Sequence, residues 1–127
     1  MAEKKVILSV LAHPDDESFG MGGTLAYYAD QGVDVYLICA TRGEVGEVAP
    51  EYLKNYPSIA ELREAELRCA SAHLGLAGIH FMDYRDSGML GSPENEHPEA
   101  LINTPIEQVA RQVTSLMREI KPNVVLT

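Results

Sequence analysis

Five consecutive residues, His13-Pro14-Asp15-Asp16-Glu17, put an imidazole and three carboxylates on one proline-fixed turn. Like charges a few Å apart disfavour each other's ionised form, so the cluster is costly unless a cation sits among them. A divalent metal removes that cost. His13 and Asp16 are three positions apart, so one turn can bring a nitrogen and an oxygen to the same ion, and Zn²⁺ accepts both ligand types. Asp15, on the same turn, is then free to take a proton from water at the ion. The same spacing suits a solvated acidic turn that complements the dipole of a following helix. On spacing alone, both readings stand.

The other residues capable of chemistry have plainer readings. His80 lies inside a strand pattern and His73 inside a helix pattern, with nothing nearby at ligand spacing, and both read as structural. His97-Pro98 follows the polar run Ser92-Pro93-Glu94-Asn95-Glu96 and reads as surface. Cys39 and Cys69 each fall in an apolar periodic segment and read as buried free thiols in a reducing compartment. Arg42 and Glu44 read as a pair across a solvated loop. Glu64 and Arg68 have the four-residue spacing of a helix-surface ion pair.

These groups need elements to position them. Val6 to Leu11 is a buried strand that breaks at His13-Pro14, since proline pushes its predecessor out of helical geometry. Phe19 to Gln31 fits a helix that stops at Gly32. Val35 to Ala40 is a second strand. Ser58-Ile59-Ala60-Glu61 has capping-box spacing and opens a helix with Ile59, Leu62, Ala65, Cys69, Ala72 and Leu76 on one face, ending near Gly75. Gly78 to Met82 is a third strand. Thr104-Pro105-Ile106-Glu107 repeats the capping signal before a stripe of Ile106, Val109, Ala110, Val113, Leu116, Met117 and Ile120, and Asn123 to Thr127 opens a fourth strand. Tyr84 to Asn103 has no clear period, and such long loops in compact domains are functional or mobile. The alternation predicts a single α/β domain over 1–127, a Rossmann-like three-layer sandwich with a mostly parallel sheet, whose ligands bind beyond the carboxyl ends of the strands. The five-residue cluster sits at that end of the first strand.

Composition bounds the function further. The 127 residues are 46% hydrophobic and 23% charged, enough for one globular core. Ten Lys and Arg against 19 Asp and Glu give a net charge of −9, with no basic run, which disfavours nucleic acid and anionic membranes as partners. The N-terminal apolar run is too short for a signal peptide or a membrane span, so a cytoplasmic location is expected.

Leu11-Ala12-His13-Pro14-Asp15-Asp16-Glu17 followed by Gly22-Gly23-Thr24-Leu25 resembles the signature of the LmbE-like, or PIG-L, family of metal-dependent N-deacetylases. Further matches are Thr41-Arg42-Gly43-Glu44 with Gly46-Glu47, then Arg63, Glu66, Ala70, Leu74 and Gly75 at the family's helical spacing, and Asp86-Ser87-Gly88-Met89. The resemblance implies a zinc-dependent hydrolase, using Zn²⁺ or another divalent metal, that removes acetyl from an N-acetylglucosamine-type amide. It implies His13 and Asp16 as metal ligands, Asp15 as general base, and Arg63, Asp86 and Glu47 as contacts to a small N-acetylated amino-sugar substrate.

The family's third ligand is a histidine shortly after the fourth strand, beyond Thr127. Two of three ligands are therefore present, and the fourth strand has no helix after it to cover it. We expect a portion of a longer LmbE-like domain, the alternative being an edge covered by association into a homo-oligomer. Two other functional classes compete. One is a nucleotide-binding module, for which Gly20-Met21-Gly22-Gly23-Thr24-Leu25 starts eight residues after Ala12 and has leucine in place of the last glycine. The other is a catalytically inactive interaction fragment.

Overall fold

The computed structural model describes residues 3–127. Four strands, β1 (Val6–Leu11), β2 (Asp34–Cys39), β3 (Gly78–Phe81) and β4 (Val124–Leu126), form one sheet of order β3-β2-β1-β4 with every pairing parallel. Between them run α1 (Asp16–Asp30), α2 (Ile59–Leu74) and α3 (Ile106–Ile120). Alternate strand residues face opposite layers. Ile7, Val35, Leu37 and Cys39 pack with Leu25 of α1 and Leu67 of α2. Leu8, Ile38 and Ala40 face the other way, against Val109, Val113, Leu116, Met117 and Ile120 of α3. The result is the expected three-layer sandwich. The sheet grows outward through β2 and β3, then returns to the far side of β1 for β4, so order reverses at β1, where such folds place ligands.

The helix ends follow local chemistry. Ser58 caps α2, its Oγ accepting from the Glu61 N–H at 3.2 Å, and Gly75 ends it in the left-handed region at φ 78°, where a side chain would be strained. The second capping signal fails. Pro105 occupies the N-cap of α3 without a side-chain bond, and the Thr104 hydroxyl turns back to donate to the Ala100 carbonyl at 3.2 Å. The α2 face also differs from its sequence pattern: Leu62, Leu67 and Ser71 are buried while Cys69 is exposed, so only Cys39 is the buried thiol that both were expected to be. Leu67 lies between the Ala65 and Cys69 of the proposed stripe, and the layer it meets is the Leu37–Cys39 edge of β2. On α3, Ile106 is exposed and the packed stripe begins at Val109.

The segment after β3 folds on itself. Arg85 pairs with Ala100, which is fully buried, and the Asn103 side-chain amide donates to the carbonyls of Asn95 and His97 at 2.7 and 2.9 Å. Two short 3-10 turns, Pro93–Glu96 and Leu101–Asn103, complete it. Among the described residues no helix is long and apolar enough to cross a membrane.

Candidate active site

The chain leaves β1 clamped to the end of β2. Thr41, buried, donates both its N–H and its hydroxyl to the Ala12 carbonyl at 3.0 and 2.9 Å, which fixes the backbone immediately before His13. Pro14 is fully buried behind it. α1 then begins at Asp16, and the residue before it, Asp15, sits at φ 111°, ψ −23°. Positive φ is strained for a side chain larger than glycine, and non-glycine residues held there cluster at functional sites.

The three carboxylates do not converge on one point. Each has its own partner. Asp16 turns back to His13: its Oδ2 accepts from the His13 N–H at 2.9 Å and lies 3.5 Å from Nδ1 of the ring. Glu17 is buried, accepting from the Asp15 N–H at 3.0 Å and the Ser18 hydroxyl at 2.8 Å, at a helix start that favours negative charge. Asp15 faces outward to Arg63, whose Nη2 donates to Oδ2 at 3.0 Å and also to the Pro14 carbonyl. The like-charge argument for a shared ion therefore narrows to the His13–Asp16 pair. That pair suits a metal: an imidazole nitrogen and a carboxylate oxygen form the mixed donor set zinc accepts, at a separation compatible with two ligands of one ion. Among the described residues no group of three or more such side chains is gathered for a metal.

The remaining expected residues line the walls. Asp86, nearly buried, places Oδ1 3.3 Å from His13 Nε2. Glu47 belongs to two adjoining cavities. One, about 360 Å³, is lined by His13, Asp86, Gly88 and Met89. The other, about 370 Å³, is lined by Asp15, Arg63, Glu66, Phe19 and Tyr52. Arg63 thus reaches Asp15 and lies on the second cavity, while His13 and Asp86 lie on the first.

Several contributors were not marked out as site residues by the sequence patterns. Gly46 and Gly43 make room for Arg63: a Cβ on Gly46 would stand 3.0 Å from its Nη1, and one on Gly43 would stand 3.3 Å away. Glu44 does not pair with Arg42. It accepts from the Asp86 N–H at 2.9 Å, while Arg42 binds Glu64 at 2.8 Å and Asp83. The expected Glu64–Arg68 pair is present at 2.7 Å. Buried Glu17 carried no signal beyond its place in the acidic run. His97 is engaged within the loop, its Nδ1 accepting from the Glu99 N–H at 3.1 Å. Gly20 to Gly23 flank a kink of α1 at Met21 (φ −150°, ψ 19°) and lie within the helix layer rather than directly after β1, so they lack the strand–glycine–helix placement of a dinucleotide fingerprint.

Compared with known proteins, residues 8–127 match the PIG-L family, described as GlcNAc-PI de-N-acetylase. A curated relative from Thermomonospora curvata, 1D-myo-inositol 2-acetamido-2-deoxy-alpha-D-glucopyranoside deacetylase, is 42% identical over 95% of this chain and 44% of its own length. The solved structure of N,N'-diacetylchitobiose deacetylase from Pyrococcus horikoshii superimposes with a TM-score of 0.72 at 28% identity, covering 97% of this chain and 40% of that one. GalB, the 4-carboxy-2-hydroxymuconate hydratase of Pseudomonas putida KT2440, superimposes with a TM-score of 0.66 at 25% identity over 97% of this chain and 46% of its own. The chain spans less than half the length of the curated relatives described, 44% for the Thermomonospora curvata protein.

Proposed function

The chain belongs to the PIG-L family, and from that premise we propose that it carries the first part of a metal-dependent deacetylase site that hydrolyses the acetamide of a small N-acetylated amino-sugar. His13 and Asp16 would hold the divalent ion, zinc being the ion this donor pair suits. Such an ion, when bound, polarises an amide carbonyl and acidifies water. Asp15 is the base: its carboxylate stands outward on the second cavity, which Glu47 shares with the cavity of His13, and takes the proton of the attacking water. Arg63 keeps that carboxylate aimed, and Glu47, on both cavities, contacts the sugar hydroxyls. Asp86 stands behind His13.

The reading is carried by one observation, the separation of roles on a single turn: Asp16 faces His13 while the next carboxylate, Asp15, is turned away at φ 111° onto an arginine. A fold alone does not fix a reaction, as the GalB hydratase shows. The acetamido-sugar substrate is inferred from the relatives of higher identity. With free thiols at Cys39 and Cys69, the cytoplasm is the compartment we assign.

The test is a pair of variants of the protein that carries this chain, assayed on an N-acetylglucosaminide with metal content measured alongside. His13→Ala should lose bound metal. Asp15→Asn should keep its metal and lose about 10²- to 10⁴-fold in kcat, the range of a general base. An Asp15→Asn protein emptied of metal, or one of undiminished rate, would refute the assignment.

A further inference from the structure

We propose that Asp86 is a positioning residue that fixes the His13 ring in one tautomer, with the Nε2 hydrogen given to Asp86 and the Nδ1 lone pair turned to Asp16. The two residues are 73 positions apart in sequence, and the loop after β3 brings them together. The Asp86 side chain is only 10% exposed, and Oδ1, the oxygen nearest His13, also accepts the Gly88 N–H at 3.0 Å. Its backbone is tied as well, since the Asp86 N–H donates to Glu44 at 2.9 Å. Gly88 adopts φ 65°, and a Cβ there would stand 2.9 Å from the Ser92 hydroxyl, so the turn behind the carboxylate is tightly packed.

A carboxylate only accepts hydrogen bonds, so its contact with His13 at 3.3 Å needs the hydrogen on Nε2. In the neutral ring the Nδ1 lone pair then faces Asp16 Oδ2 across 3.5 Å. Two acceptors so placed have no hydrogen between them, and a cation satisfies both. Histidine ligands commonly give their second N–H to a carboxylate in this way, which fixes ring orientation and raises basicity. A carboxylate that instead gripped the sugar would affect substrate affinity and leave the ring untouched. The consequence for metal binding rests on the site proposed above, whereas the tautomer does not.

The experiment uses the protein that carries this chain, labelled with ¹⁵N and free of metal, at alkaline pH where imidazoles are neutral. Long-range ¹H–¹⁵N spectra should show the hydrogen of His13 on Nε2. Asp86→Ala should release the ring to a mixture of tautomers, and Asp86→Asn, which keeps an acceptor oxygen and the shape, should retain the Nε2–H form. Zn²⁺ affinity, read by competition with a chromophoric chelator, should fall about 10- to 100-fold in Asp86→Ala. A wild-type ring protonated on Nδ1, or an Asp86→Ala chain with unchanged tautomer and unchanged affinity, overturns the proposal. If Asp86→Ala does not fold, the wild-type spectrum and Asp86→Asn still decide it. Should wild type bind Zn²⁺ no better than His13→Ala, the metal site fails, and the ring spectrum still judges Asp86.

Discussion

At the scale of single residues, the two cysteines are the sharpest contrast between similar sequence settings. Burial pushes the Cys39 thiol up to about 12, and the negative charge of Glu17 adds to the shift, so almost no thiolate is present near neutral pH. Cys69 is exposed on α2. Iodoacetamide should therefore alkylate one thiol per folded chain, at Cys69, and reach Cys39 only after denaturation. Mass spectrometry of tryptic peptides checks this, and modification of Cys39 in the native chain would contradict the packing described. The sequence singles out His13, Asp15 and Asp16 as candidates because four ionisable groups on a proline turn need a reason to be there. What they touch is not legible in it. That Arg63 and Glu17 divide the neighbouring charges depends on a helix 49 residues away and on a side chain folding back by two positions, and neither leaves a periodic trace.

At the scale of elements, strands and helix stops were readable because uninterrupted β-branched runs, proline and glycine act locally. Helix starts were less so. Ser58 and Thr104 carry the same signal, yet only Ser58 caps its helix. Pro105 comes immediately after Thr104, cannot donate its own N–H, and itself takes the cap position of α3, leaving the threonine hydroxyl to the loop carbonyl behind it. Ser58→Ala should accordingly destabilise the chain by about 1 kcal/mol, as for other lost caps. Thr104→Ala should cost less, lacking a cap to lose. Urea unfolding midpoints at constant slope measure both, and equal losses would mean that the Ser58 bond is not formed. The long loop could not be foreseen as a knit unit, because its order comes from side-chain amides reaching backbone carbonyls.

At the scale of the whole molecule, an ionic cluster ties three parts of the sheet rim together. Glu64 of α2 accepts from Arg42 of the loop after β2 and from Arg68, and both guanidinium groups lie over the Phe81 ring of β3, at 4.6 and 5.6 Å. The bonds from Arg42 and then Arg68 hold the Glu64 carboxyl below its ordinary value of 4.5. A depressed carboxyl contributes stability above the unfolded value and loses it as pH falls through the folded value. The melting temperature of the native chain should exceed that of Glu64→Gln at neutral pH, with the gap closing below pH 4.5. A gap that persists into strong acid would show that the glutamine disturbs packing instead. The α/β class and layer order were legible because alternation of elements admits few topologies. The return of the chain to the far side of β1 was not, since nothing local in α3 says which edge the next strand joins.

On the role proposed for Asp15, its left-handed backbone sets the folding interest of the chain against its chemical one. Holding a side chain at φ 111° costs on the order of 1–3 kcal/mol, and glycine would bear the same turn without that penalty. A gene copy relieved of its chemical task would gain robustness by giving up this carboxylate, so heat tolerance and loss of turnover would be expected to arise together at a single codon.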